Sequence, residues 1–164
     1  MPERFADDRR SLYDFGGLFA VECPKCGNQA RVKAEGRPLR ATAASLTCAH
    51  CGYSDRRELD GHALPTVSDS GDVLDPGTVH VRAAVDWFFH QPLWLRTSCA
   101  GNELWAYNTD HLEHLRAYVS ADLRERASAW SVVGRLPKWM TSAKNRAEVL
   151  RCVARLEGRA QQAV

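Results

Sequence analysis

The sequence predicts an α+β chain. Three observations point that way. Two C-x₂-C pairs near the N-terminus bracket segments of strand character. An aromatic-rich segment further on alternates in polarity around a central turn. Two apolar stripes of helical spacing then follow toward the C-terminus. With 164 residues, 45% apolar and 26% charged, the chain can bury roughly 70% of its unfolded surface, which excludes a wholly disordered polymer. No apolar run approaches the ~20 residues that cross a bilayer, so no membrane partner is expected.

Taken in order, residues 1–20 read as an irregular or short extended lead-in. Leu12 to Val21 is interrupted by Asp14, Gly16 and Gly17 and preceded by Asp7 and Asp8, the reverse of a secretory leader, so a cytoplasmic location is expected. Gln29 to Ala34 and Leu39 to Thr47 pair as strands around Gly36-Arg37-Pro38, and Tyr53 to Leu59 supplies a third. Residues 61–78, with Pro65, Gly71, Pro76 and Gly77, read as a connecting loop. The expected division is therefore 1–60, the loop 61–78, and an aromatic-rich hairpin and helical domain over 79–164. All five tryptophans (Trp87, Trp94, Trp105, Trp130 and Trp139) fall in that last part, which predicts a second core there.

Within it, Val81, Val85 and Phe88 or Phe89 recur at helical spacing between Thr78 as cap and Pro92 as stop. Leu93 to Cys99 and Leu104 to Tyr107 form a hairpin around Ala100-Gly101-Asn102. Asp110 and Glu113 resemble a capping box at the start of a helix striped by Leu112, Leu115, Tyr118 or Val119, and Leu123. A last helix begins near Pro137, carries Met140, Ala143, Ala147, Leu150 and Val153 or Ala154, and ends before Gly158.

The cysteines carry the strongest chemical signal. The pairs sit in Cys23-Pro24-Lys25-Cys26-Gly27 and Cys48-Ala49-His50-Cys51-Gly52, with twenty-one residues between Cys26 and Cys48. Each pair makes a tight turn aiming two sulfurs at one point, and the trailing glycine permits the positive φ that closes it. In a reducing compartment such pairs are thiolate ligands rather than disulfides. Four thiolates suit Zn²⁺, which needs no redox tuning. Binding one zinc through four thiolates takes the formal charge of +2 to about zero, so no global field for polyanions is expected.

On these knuckles, residues 22–60 resemble the zinc-ribbon superfamily, the ribbons with CPxCG and CxxCG turns found in transcription factors and ribosomal proteins. The resemblance implies one closed, tetrahedral, structural zinc on Cys23, Cys26, Cys48 and Cys51. Trp94-Leu95, Leu104-Trp105-Ala106-Tyr107-Asn108 and Asp110-His111-Leu112 also resemble a segment of uncharacterised bacterial zinc-ribbon proteins, which implies no function.

Cys99, His111 and His114 form a conceivable second metal site, but the simpler expectation is a framing histidine and a small buried cysteine. Cys152 falls on the apolar side of the last helix. Residues 131–164 carry seven cations against Glu148 and Glu157, a local balance of +5. There Lys138, Trp139, Lys144 and Arg146 mix an aromatic with cations, as a site for phosphate and a stacked base requires. The strand residues Arg31, Lys33, Arg37, Arg40, Arg56 and Arg57 suit phosphate or offset the metal centre's negative charge. No phosphate-loop, dinucleotide, nucleophile-elbow or H-E-x-x-H motif occurs, so no enzyme is expected. The expected function is thus a non-enzymatic module associated with nucleic acid or with a transcription or translation complex. The alternative is a protein–protein adaptor in which zinc is purely structural.

Overall fold

The computed structural model describes residues 2–59, 84–124, 127–128 and 131–162. Strands and helices are both present, as expected for α+β. Strands β1 (Arg4–Phe5), β2 (Leu18–Glu22), β3 (Gln29–Glu35), β4 (Ala43–Thr47) and β5 (Ser54–Glu58) precede the undescribed stretch 60–83. After it come the hairpin β6 (Leu95–Cys99) and β7 (Asn102–Ala106), helix α1 (Thr109–Ser120) and β8 (Leu123–Arg124). Helices α2 (Lys138–Thr141) and α3 (Arg146–Gln161) close the chain.

Strands β2-β3-β4-β5 form one antiparallel sheet. Strand β3 alternates strictly, burying Ala30, Val32 and Ala34 while exposing Arg31, Lys33 and Glu35. At the far edge β5 is exposed throughout, and its Ser-Asp-Arg-Arg-Glu sequence blunts that edge with charge. The lead-in is more ordered than expected: Leu12–Phe15 is a 3₁₀ turn and residues 18–22 are strand β2. Phe19, Ala20 and Val21 are all buried, because β2 is covered on both faces and a strand so covered does not alternate.

The free edge of β2 is taken by the second half of the chain. Ala20 N donates to Tyr107 O (2.8 Å), Trp94 N to Ala20 O (2.9 Å) and Glu22 N to Pro92 O (2.9 Å). Residues from both halves share one core. At its centre the Phe19 ring lies 4.9 Å from Tyr107 and 5.4 Å from Trp87, and Trp87 Nε1 donates to Tyr107 Oη (3.1 Å). The loop expected over 61–78 lies outside the described residues, as do Thr78, Val81 and Trp130. Of the other four tryptophans, Trp87 is fully buried, while Trp94, Trp105 and Trp139 are half-buried and pack against the core.

Four expectations are corrected. Residues 84–91 are not helical: the buried Asp86 carboxylate accepts from the amides of Phe88 (2.8 Å), Phe89 (2.7 Å) and Gln91 (2.6 Å), holding a turn that brings Val85 back to Pro92. The cap of α1 is Asn108, whose side chain accepts from His111 N (2.9 Å), in place of an Asp110–Glu113 box. The final helix is interrupted: α2 ends at Thr141, a 3₁₀ turn spans Ala143–Asn145, and Asn145 Nδ2 satisfies the Trp139 carbonyl (2.9 Å). Helix α3 runs through Gly158 to Gln161, because Trp94 Nε1 donates to Arg159 O (3.1 Å) and the Arg159 guanidinium stacks on Trp94 at 4.1 Å. Tertiary contact there outweighs the weak stop signal of an exposed glycine.

The hairpin forms as expected, with Ala100 and Gly101 both at positive φ (49° and 74°), the type I′ pattern. Its Cys99 is joined to Cys152 of α3 in a disulfide, with Cα atoms 6.1 Å apart across a sequence separation of 53. Both residues are buried as anticipated, but as partners. Helix α3 thereby lies over β6 and packs against α1. At the other end of α1, the Arg124 guanidinium donates to the carbonyls of Tyr118, Val119 and Thr141, each at 3.0 Å. It thus places a cation on the helix's negative end.

Two outcomes follow from this packing. A Cβ on Gly16 would overlap the Trp87 ring, so Gly16→Ala should destabilise the fold by about 1–3 kcal/mol in urea unfolding. Replacing Cys99 and Cys152 together by serine should cost about 2–4 kcal/mol, because a long loop in the unfolded chain is released. Titrations of the oxidised and reduced wild-type chain should differ by the same amount.

Candidate functional site

The two knuckles are built alike. Gly27 N donates to Cys23 O and Gly52 N to Cys48 O, both at 2.9 Å, and both glycines have positive φ (74° and 75°). Cys23 N donates to Asn28 O (2.8 Å) and Cys48 N to Tyr53 O (2.9 Å), so each knuckle is clamped to the start of the strand that follows. Those strands, β3 and β5, flank β4 in one sheet, which brings the knuckles to the same end.

All four sulfurs consequently lie within 4.8 Å of one another. Cys23 Sγ is 3.7 Å from Cys51 Sγ, and Cys26 Sγ is 3.7 Å from Cys48 Sγ. Four thiolates bound tetrahedrally at about 2.3 Å stand about 3.8 Å apart, so the spacing fits a metal ion at their centre. Cys23 and Cys48 are buried, Cys26 and Cys51 half-buried, and none is in a disulfide. Among the described residues no other group of His, Cys, Asp and Glu is gathered closely enough to hold a metal.

The electrostatics show the strain of four acidic thiols at one point. The backbone amide and side chain of Asn28 pull the Cys26 thiol down to about 6. The Tyr53 amide also lowers Cys51, but burial and the three neighbouring sulfurs outweigh it and push that thiol up to about 11. A cation at the centre removes the like-charge conflict. Asn28 was not singled out from the sequence. Its Nδ2 stands 3.5 Å from Cys26 Sγ and 3.2 Å from His50 Nδ1, tying the two knuckles together.

The conceivable second metal site does not assemble, in line with the simpler expectation. Cys99 is committed to its disulfide, His111 Nδ1 accepts from Tyr107 N (3.1 Å), and His114 Nδ1 lies 3.1 Å from an Arg10 guanidinium nitrogen. His111 is 2% exposed, and burial followed by the charge on His114 lowers its pKa to about 3. It frames α1 and stays neutral.

The basic cluster is spread over three elements. Lys138 and Trp139 lie on α2, with Lys138 exposed and Trp139 half-buried; Lys144 is exposed on the 3₁₀ turn. Arg146, at the start of α3, is directed to Asp122 (3.7 Å). On the sheet, Arg31 and Lys33 are exposed on β3 and Arg40 beyond it. Arg56 pairs with Glu35 and Glu58, while Arg57 turns inward to Phe88 O (2.9 Å) and the Phe89 ring (4.7 Å). Trp139 borders a cavity of about 300 Å³ shared with Tyr13, Leu104, Trp105 and Met140. Sequence patterning signalled Trp139 but not the cavity, which is assembled from four separate stretches of chain.

Among the described residues no helix is long and apolar enough to cross a membrane. Comparison with family models, curated proteins and solved structures returned no match.

The geometry predicts one metal ion per chain by elemental analysis. Cys48→Ser, or chelation at neutral pH, should abolish the cooperative unfolding of the sheet, because a structural zinc contributes about 10 kcal/mol or more to such folds. Acidification should release the ion as the thiolates protonate, followed by a thiol-reactive dye and a zinc indicator together.

Proposed function

We propose that this chain is a non-enzymatic binding module, stapled by one structural Zn²⁺, that engages single-stranded nucleic acid through the face carrying Lys138, Trp139 and Lys144. Zinc is the ion that a closed four-thiolate set suits. With every coordination position taken by sulfur, it would hold the sheet rather than activate a water.

The observation that carries the nucleic-acid reading is the setting of Trp139. It follows exposed Lys138 on α2, shortly before exposed Lys144, and borders a cavity whose other walls include Trp105 and Tyr13. Trp139 is only half-buried, in contrast to Trp87 at 2% exposure, so part of its ring is open to a ligand. Aromatic rings beside solvent-facing ammonium groups match what a flexible strand presents: bases to stack and phosphates to neutralise. Arg146 has a different task in this reading, since Asp122 already engages it. Near-neutral total charge favours a local contact over non-specific coating of a polyanion.

The test is fluorescence anisotropy of labelled single strands across a range of salt. Lys138→Ala with Lys144→Ala should weaken binding and reduce the slope of log affinity against log salt by about 1.4, two contacts at ~0.7 each. No binding of single- or double-stranded DNA or RNA at low salt would overturn the reading in favour of the protein adaptor.

A further inference from the structure

We propose that the cavity bordered by Trp105 and Trp139 is a binding site for one planar heterocyclic ring of the nucleobase type, held by a hydrogen bond from His111 Nε2. This assignment takes the ring's source, an unstacked base of a strand, from the nucleic-acid reading above, but its chemistry comes from the cavity.

His111 lies in the lining of the cavity and is almost fully covered. Its ring is clamped: Phe15 stacks on it at 5.0 Å, Tyr107 lies at 5.3 Å and Trp105 meets it edge-on at 6.0 Å. The backbone amide of Tyr107 donates to Nδ1, which must therefore carry no proton. Burial keeps the imidazole neutral, so its single proton sits on Nε2. The side-chain hydrogen bond of His111 is the one at Nδ1, and among the described residues none accepts from Nε2, which is left available to a ligand. The fold thus fixes both the tautomer and the orientation of a donor that its own side chains do not satisfy.

The rest of the lining defines what would satisfy it. The walls are aromatic and aliphatic, from Tyr13, Leu104, Trp105, Trp139 and Met140, which favours a flat ring over a charged or sugar-like group. The volume of about 300 Å³ is at the small end of ligand sites, enough for a single base and too small for a folded segment. Arg135 and Glu103 line the same cavity and are exposed, so its mouth is charged, while in its depth the buried polar side chains are His111 and Ser131, the latter already bonded to Ser128 O and Gly134 N. Lys138 and Lys144 lie outside it, where the backbone of a strand would continue. A ring nitrogen or carbonyl of a base is the acceptor that Nε2 lacks.

The experiment uses the full metal-loaded chain and three probes. These are single-stranded oligothymidylate, the same strand with thymine replaced by its non-hydrogen-bonding difluorotoluene isostere, and thymidine monophosphate. Wild type should bind the thymine strand about tenfold more tightly than the isostere. Trp139→Ala should weaken both strands alike while leaving that ratio intact. Imidazole ¹⁵N spectra of wild type should show Nε2 protonated and Nδ1 bare, with the Nε2 resonance moving on addition of thymine strand and not of isostere. This readout holds even if substitutions at His111 fail to fold. Equal binding of the two strands with a still Nε2 resonance overturns the cavity assignment and leaves the nucleic-acid reading standing. A response to the monophosphate without strand binding supports the ring site and overturns that reading. No response to any probe overturns both.

Discussion

Strand β2 is the constraint on which the other elements depend, because both of its hydrogen-bonding edges and both of its faces are occupied. One edge pairs with β3 from Leu18 to Glu22, and the other takes the backbone of residues 92–94 and Tyr107. Phe19 reaches the aromatic centre, while Glu22 receives Arg96 of β6 (3.2 Å) and Arg159 of α3 (3.6 Å). The next residue is Cys23. A metal knuckle, a hairpin and the final helix are therefore referenced to five consecutive residues.

The four-cysteine cluster and the disulfide divide the remaining work. The four cysteines close a sheet whose buried residues are chiefly alanine and valine, too little apolar volume to be self-sufficient. The disulfide ties α3 to the hairpin on the opposite side of β2. Between these anchors the aromatic cluster of Phe15, Phe19, Trp87, Tyr107 and His111 supplies the continuous packing that couples the two halves. The same cluster orients His111, so the core that stabilises the fold also sets the chemistry at the cavity.

How much of this was legible depended on whether the signal was local. The knuckles were, since C-x₂-C-G specifies a turn within five residues. The hairpin was, since Ala100-Gly101-Asn102 specifies its own backbone. Strand β2 was not, because burial on both faces removes the alternation by which a half-covered strand is recognised. Residues 84–91 misled in the opposite direction: Val85 and Phe88 have helical spacing, yet Asp86 offers its carboxylate to three amides and the turn wins. Likewise Gly158 looks like a stop, but the contact of Arg159 with Trp94 keeps the backbone helical.

What the sequence determined by itself was the fold class, the four cysteines gathered at one point, the hairpin and the helices that follow it. Each of these rests on interactions between residues close along the chain, or on a spacing that only one chemistry explains. Tertiary structure decided the rest. The pairing of Cys99 with Cys152 spans 53 residues, and no local pattern distinguishes two bonded cysteines from two buried ones. The docking of β2, the break between α2 and α3, and the cavity around Trp139 all come from surfaces that meet only after the chain has folded. The tautomer of His111 is the finest example, for it is set by one amide, that of Tyr107, a residue whose own carbonyl accepts from Ala20 N of β2.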